Sequence, residues 1–579
     1  MSPDNTSASE RSPLLTNHPA VSATEPSEGI AVNAPLLSTS DANGTIKALD
    51  GQQNDSATYG TTGDPENVTP AEPQAFEGNP EMRKRLPYIL PAIAIGVFLS
   101  ALDQTIIVSS YGHIGSDLHA LNSTSWIATA YLLTITSFQP LYGKLSDIFG
   151  RKSCLLFAYL IFGLGCLFCG LARNISELIA ARAFAGIGGG GMTTVVSILM
   201  SDTVSLRERG TWQGYINLVY ATGAAAGAPI GGIMSDSIGW RWAFLSQSPL
   251  CLVAFIAVAV ILKEPTKDAV HWKEKLRRID FLGAAILIAA VFTLLLALDH
   301  GSNVAWRSTF TLVSLGVSIP LFAIFLLVEM KVASHPFAPG HLIFHPTLFA
   351  CYACNFFSFA GWLAAIFYIP LYFQAVDGLT ATQAGVRLMP SMAFGVSGSL
   401  FAGIWMQRYG RYYWLTVLCY TFLTVGMVVI ILFSGLISAS TVGIIIGMCI
   451  AAFSNGIGVT STLIGLIANA ERDDQAIVTA CSYLFRSLGC VFGVSMSATV
   501  ANQVLRSELE GTLSGEEARE IARRVRESLS YIGTLEPKVR AVVAECYAKS
   551  TRGAFALQLG LVAGAAIAAW FIREKRLGG

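Results

Sequence analysis

The sequence predicts an all-α integral membrane protein with about fourteen transmembrane helices. Three observations predict it. Of 579 residues, 53% are hydrophobic and only 13% are charged, with a mean hydropathy of +0.54, unlike a large soluble enzyme. From residue 87 onward the chain is a series of apolar runs of roughly 18 to 25 residues, each long enough as a helix to cross about 30 Å of hydrocarbon. Lysine and arginine also gather in alternate loops, as they do on the cytoplasmic side of membrane proteins. Lys+Arg and Asp+Glu balance at 38 each, so no global charge draws the chain to nucleic acid.

Residues 1–85 read as a disordered cytoplasmic tail. They are rich in Ser, Thr, Asn, Pro and Gly and almost free of aromatic residues, so they cannot bury enough surface to fold alone. No basic stretch followed by an apolar core is present, which excludes a signal peptide. Within the tail, Glu10-Arg11-Ser12-Pro13-Leu14-Leu15 fits the acidic-dileucine pattern E-x-x-x-L-L. Clathrin-type adaptor complexes read that pattern when sorting cargo to vacuoles or lysosomes.

The spans fall near 88–110, 124–142, 153–172, 176–200, 212–235, 242–262, 280–299, 309–329, 347–372, 384–406, 413–434, 440–468, 476–500 and 553–572. Arg83-Lys84-Arg85, Arg151-Lys152, Arg207 with Arg209, the Lys263–Arg278 segment, Arg408 with Arg411, and Arg573 with Lys575-Arg576 then share one side. Both termini are therefore expected to be cytoplasmic. The polar segment Asn502–Arg552 lands on the opposite, lumenal side, with short surface helices expected over Glu516–Ser528 and Pro537–Lys549. Of 11 cysteines, only Cys546 lies outside an apolar run. Cys166-x-x-Cys169 and Cys351-x-x-Cys354 lack the His or second Cys pair of a closed zinc site and read as buried small residues.

Four stretches carry mechanism. Between the second and third spans stands Gly143-Lys144-Leu145-Ser146-Asp147-Ile148-Phe149-Gly150-Arg151-Lys152. Gly143 lets two helices approach, Asp147 can accept from backbone amides or pair with an arginine, and Arg151-Lys152 is held on the cytoplasmic side. This stretch resembles the signature G-x-L-a-D-r-x-G-R-K/R of the major facilitator superfamily. In the fourth span, Arg182-Ala183-Phe184-Ala185-Gly186-Ile187-Gly188-Gly189 is similar to that family's R-x-x-x-G-x-G-G pattern. Gly186-x-Gly188-x-x-Gly191 matches a dinucleotide fingerprint by letter, but no strand precedes it. The fifth span carries Gly214, Gly223, Gly227, Pro229, Gly231 and Gly232, resembling the antiporter motif G-x8-G-x3-G-P-x-x-G-G with the proline displaced by one residue. Small residues there permit tight packing and a bend. In the first span, Leu102-Asp103-Gln104-Thr105-Ile106-Ile107-Val108 is similar to the L-D-x-T-I-V sequence of fourteen-span drug:proton antiporters.

The resemblance covers roughly residues 85–500 and implies the major facilitator fold. Two six-helix bundles, residues 86–262 and 336–579, would rock about a central cavity, with two linker helices in 263–335 and a lumenal loop at 502–552. It implies a proton-coupled antiporter, not an enzyme, working without a cofactor or metal. Within the family the sequence looks most like fungal vacuolar transporters that move basic amino acids (Lys, Arg, His) into the vacuole. A plasma-membrane exporter of drugs or siderophores and a non-transporting nutrient sensor fit the same residues. A charge in the apolar phase is costly and marks a functional position. Asp103, read as an isolated carboxylate able to bind a proton or a cation, and Arg182 and Arg486 are the coupling candidates. Asp299 and Glu329 sit at span ends, where solvation is easy. Gln104, Trp126, Tyr131, Gln139, Asn217 and Tyr220 in the first half, with Asn355, Tyr368, Asn455 and Tyr483 in the second, are the expected cavity lining.

Overall fold

The computed structural model describes residues 80–579 apart from 108–109, 111–113, 115–116, 119–124, 264–279, 304–305, 332–339, 380, 513–531, 533–534 and 578–579. The tail with Glu10, Leu14 and Leu15, the glycosylation sequon Asn122-Ser123-Thr124 and the Glu516–Ser528 segment lie outside the described residues.

The first half contains α1 (Pro80–Ile106), α2 (Ser125–Phe149), α3 (Arg151–Leu171), α4 (Ile175–Thr203), α5 (Leu206–Ser237) and α6, which runs as two pieces, Trp240–Leu245 and Gln247–Ile261. Next come α7 (Phe281–Asn303) and α8 (Thr309–Lys331). The second half contains α9 (Pro346–Ser358, a π-helical turn over Phe359–Leu363, then Ala364–Ala375), α10 (Ala381–Tyr409), α11 (Tyr413–Phe433), α12 (Thr441–Asn469), α13 (Gln475–Thr512) and α14 (Pro537–Ala569). Among the described residues, thirteen helices are long and apolar enough to cross a membrane. The remaining one, α2, has 25 residues but carries Thr129, Thr134, Thr136, Ser137 and Gln139 along its length.

Local signals set several ends. Asn174 caps α4 by accepting from the Glu177 amide at 2.8 Å, while Glu177 accepts from the amide of Arg173, the residue before the cap, at 2.9 Å. Gly150, at φ +90°, makes the reversal between α2 and α3 that an L side chain would strain. Two helices run longer than expected. The 38 residues of α13 reach about 57 Å, and α14 begins at Pro537. Pro537–Lys549 is thus the first part of a spanning helix, not a separate surface helix, because Leu505 and Leu509 of α13 pack on Val543, Cys546 and Tyr547 of α14.

The halves repeat one plan. In the first, α4 packs between α2 and α3, and α1 packs on α5 and α6; in the second, α12 packs between α10 and α11, and α14 packs on α9, α11 and α13. They meet where α2 crosses α13 and where α5 crosses α10, so each half offers its second and fifth helix to the other. Leu287, Val291 and Leu295 of α7 join the second-half core, whereas α8 leaves Leu312, Val313, Ile319 and Leu327 more than half exposed, a face suited to lipid.

Candidate functional site

Asp103, near the end of α1, is fully buried inside the first half. Arg182 of α4 donates to its Oδ2 at 2.6 Å, and Gln247 of α6 donates to its Oδ1 at 3.3 Å. Arg182 also donates to the Ile127 carbonyl at 3.3 Å and lies 4.4 Å from the Tyr131 ring centre. The reading of Asp103 as isolated is corrected. Its charge is matched by an arginine on another helix, which offsets the several kcal/mol that burying each ion costs. Glycines put Arg182 there. A Cβ on Gly186 would meet the Tyr131 carbonyl at 2.5 Å, and one on Gly188 the Ala158 carbonyl at 2.5 Å, so α4 can sink between α2 and α3.

The second half has a differently charged counterpart. Arg486 of α13 is buried and donates from Nε to the Asn355 amide oxygen of α9 at 3.1 Å and from Nη2 to the Val459 carbonyl of α12 at 3.0 Å. Asn355 donates to Ser482 at 3.2 Å and accepts from Thr462 at 3.2 Å. Tyr483 and Phe359 place their ring centres 5.3 and 5.6 Å from the guanidinium. Where α1 supplies an acid to an arginine, α9 supplies a neutral amide. No carboxylate pairs with Arg486 among the described residues.

Between the halves runs a polar seam. Ser487, next to Arg486, donates to Gln139 of α2 at 3.0 Å. Asn217 of α5 donates to Ser399 of α10 at 2.8 Å, and Ser399 bonds Thr460 at 2.6 Å. Further along, Arg209 donates to Gln475 at 3.0 Å, and Arg207 donates to the Gln407 carbonyl at 2.6 Å. A Cβ on Gly143 would lie 2.7 Å from the Ala480 Cβ. These contacts fall toward the ends of α2 and α10 and the beginnings of α5 and α13, the side bearing the Gly143–Lys152 loop. Past the seam, Tyr220 donates to Gln104 at 3.2 Å and is 37% accessible. Tyr483 of the other half stands beside it.

The signature loop is a clamp. Arg151 bonds Asp147 at 2.6 Å, Asp202 at the end of α4 at 2.8 Å, and Ser146 at 2.7 Å, while Lys152 donates to the Ala259 carbonyl of α6 at 2.6 Å. Of the two partners open to Asp147, the structure uses the arginine. On α5, a Cβ on Gly227 would meet the Leu102 carbonyl at 2.5 Å, Gly223 faces Phe98, and the Gly231 carbonyl accepts from Ser110 at 3.3 Å. Pro229 and Gly232 lie within the same helix.

Several expected lining residues sit elsewhere. Tyr131 (1% accessible) and Asn355 (0%) are enclosed within their own halves as partners of arginines. Trp126 lines a lateral apolar cleft of about 310 Å³ with Ile179 of α4 and Phe292 of α7. Tyr368 is half-buried against the second-half core. Glu329 is buried, 5% accessible, despite its place at a span end. Sequence reasoning does not single out Gln247, Asp202, Ser399 or Ser487. The polar run Ser246-Gln247-Ser248 inside an apolar span is the signal that marks Gln247. All eleven cysteines are free, and both Cys-x-x-Cys pairs are buried among apolar side chains.

Two halves of one plan, joined along a polar seam and holding an ion pair inside the apolar phase, define a secondary transporter. Residues 93–278 and 279–494 match the family model described as Major Facilitator Superfamily, and the chain belongs to that superfamily; it is a multi-pass membrane transporter. It is 38% identical over 490 residues to the vacuolar membrane amino acid uptake transporter fnx2 of Schizosaccharomyces pombe, covering 84% of each chain. To the multidrug resistance protein fnx1 of the same organism it is 39% identical, covering 81% of this chain and 89% of that one. To the vacuolar basic amino acid transporter 2 of Saccharomyces cerevisiae it is 34% identical, covering 75% and 94%. The solved proton:xylose symporter XylE superposes with a TM-score of 0.55 at 14% identity, covering 85% of this chain and 97% of that chain, a likeness of fold alone.

Proposed function

We propose that the chain is a proton-coupled antiporter of the vacuolar membrane that carries basic amino acids from the cytosol into the vacuole. The buried Asp103–Arg182 pair carries this reading, because Gln104, the next residue on α1, is bonded by the accessible Tyr220. A proton arriving at Asp103 would release Arg182 and loosen four helices at once. Losing that proton would restore the pair, so proton occupancy biases two packings of the first half. The bundles 86–262 and 336–579 rock about a central cavity, and 263–335 supplies the linker helices. With the Gly143–Lys152 face in the cytosol, the seam is the closed cytoplasmic gate, and access to the transport site is from the lumen. Identity to fnx2 and to the vacuolar basic amino acid transporter 2 supports the substrate class and the membrane.

Uptake of labelled lysine and arginine into vacuolar vesicles, with and without a proton gradient, tests this. Gradient-dependent uptake is expected, and its absence for every basic amino acid would sink the reading. The identity to fnx1 supports a second reading, a plasma-membrane drug:proton antiporter. Cellular location separates the two. Changing Leu14 and Leu15 to alanine should move the protein from the vacuolar membrane to the cell surface, by loss of adaptor recognition. Glycans at Asn5, Asn43, Asn54 or Asn67 would reverse the proposed orientation.

A further inference from the structure

We propose that Arg486 is the carboxylate-binding group of the transport site, with the amide oxygen of Asn455 positioned to accept the substrate's ammonium. The proposal rests on the amino-acid reading above. A guanidinium has five N–H donors, and Arg486 spends one on Asn355 and one on Val459, leaving Nη1 unbonded among the described residues. Its two acceptors are neutral, so its full positive charge remains. In the first half Arg182 is neutralised by Asp103 at 2.6 Å. Burying an unmatched cation is expensive, and the chain tolerates it beside Tyr483, which itself stands beside the accessible Tyr220. A ligand carboxylate would supply the missing charge in the fork geometry that arginine favours.

A second polar atom belongs to α12, the helix that holds Arg486. The Asn455 Oδ1 is buried and has no hydrogen-bond partner among the described residues. It precedes Val459 by one turn on the same face of α12, and Val459 is the residue whose carbonyl holds Arg486. A donor short of an anion and an acceptor short of a donor form the complement of an amino-acid head group. Asn355, locked by Ser482 and Thr462, sets the orientation of the guanidinium.

The test uses the full chain in lipid nanodiscs and reads ligand-induced thermal stabilisation by L-lysine, lysine methyl ester and cadaverine. The last two lack a free carboxylate. Wild type should bind them about 10- to 100-fold more weakly than lysine, the worth of one charge-assisted bond. Arg486→Gln should bind all three alike, and Arg486→Lys should recover part of the preference. Equal binding of lysine and cadaverine by the wild type, or an unchanged preference in Arg486→Gln, would overturn the proposal. The wild-type comparison decides the matter even where a variant misfolds. If no amino acid stabilises the wild type, the amino-acid reading fails. The anion site is then read with a panel of organic acids: stabilisation lost in Arg486→Gln upholds it, and no stabilisation overturns it.

Discussion

At the scale of single residues, the Asp103–Arg182 pair ties stability to transport. Each ion is buried by the other's presence, so removing one leaves an uncompensated charge, at a cost of about 3–5 kcal/mol. The two removals are not equivalent. A carboxylate left alone can take a proton and become neutral, whereas a guanidinium cannot. Asp103→Asn should therefore lower thermal stability more than Arg182→Gln, and the double substitution should cost less than the sum of both. Proton-driven uptake should be lost in all three variants, including the double one with restored folding. Stability measured in detergent beside uptake in vesicles separates the roles; wild-type proton dependence in Asp103→Asn would remove the carboxylate from coupling.

At the scale of helices, close approach is bought with glycines at matching places in both halves. Gly223 and Gly227 of α5 press on the Phe98 and Leu102 carbonyls of α1, and Gly489 and Gly493 of α13 press on the Phe356 and Ala360 carbonyls of α9. The spacing is four residues on each partner, so one face of a fifth helix lies along a first helix twice. The second crossing includes the π-helical turn Phe359–Leu363 of α9, a winding that often marks functional sites. Even a methyl group at these positions forces the backbones apart. Gly493→Ala should destabilise by about 1–3 kcal/mol, the range of overpacking. Gly316→Ala on α8, with no atom within 4 Å of the added carbon, should be neutral or stabilising by up to about 1 kcal/mol from helix propensity. Equal effects at the two sites, read by thermal unfolding, would reject the crossing as the reason for Gly493.

At the scale of the whole molecule, the seam between the halves defines one closed state. Asn217 and Ser399 touch at 2.8 Å, and Gly210 lies against Gly403. Transport by alternating access requires these contacts to break. In a background without the native cysteines, Asn217→Cys/Ser399→Cys should cross-link under oxidant, and uptake should stop until a reductant is added. Full uptake by the cross-linked protein would mean that this seam does not open. Gly143→Leu acts in the opposite sense: its side chain would meet Ala480 and the Ala476 carbonyl, favouring the state in which α2 and α13 part. Faster labelling of Ser487→Cys by a soluble thiol reagent in that variant is the expected result.

The sequence by itself determined the helical membrane class, nearly every span and the signature loop, because spanning a bilayer demands long apolar runs and leaves glycine, proline and charge conspicuous within them. Asp103, Arg182 and Arg486 stood out for that reason. Their partners did not, since one-dimensional order carries no depth or rotation for one helix against another. Only the tertiary structure placed Arg182 on Asp103, gave Arg486 an amide in place of an acid, and moved Tyr131 and Asn355 from the expected cavity lining into the interiors of their halves. It also joined Pro537–Lys549 to α14, because a polar stretch reads as a surface helix until another helix is seen to extend beside it. Periodicity sets which residues share a face; the packing of the other helices decides what that face meets.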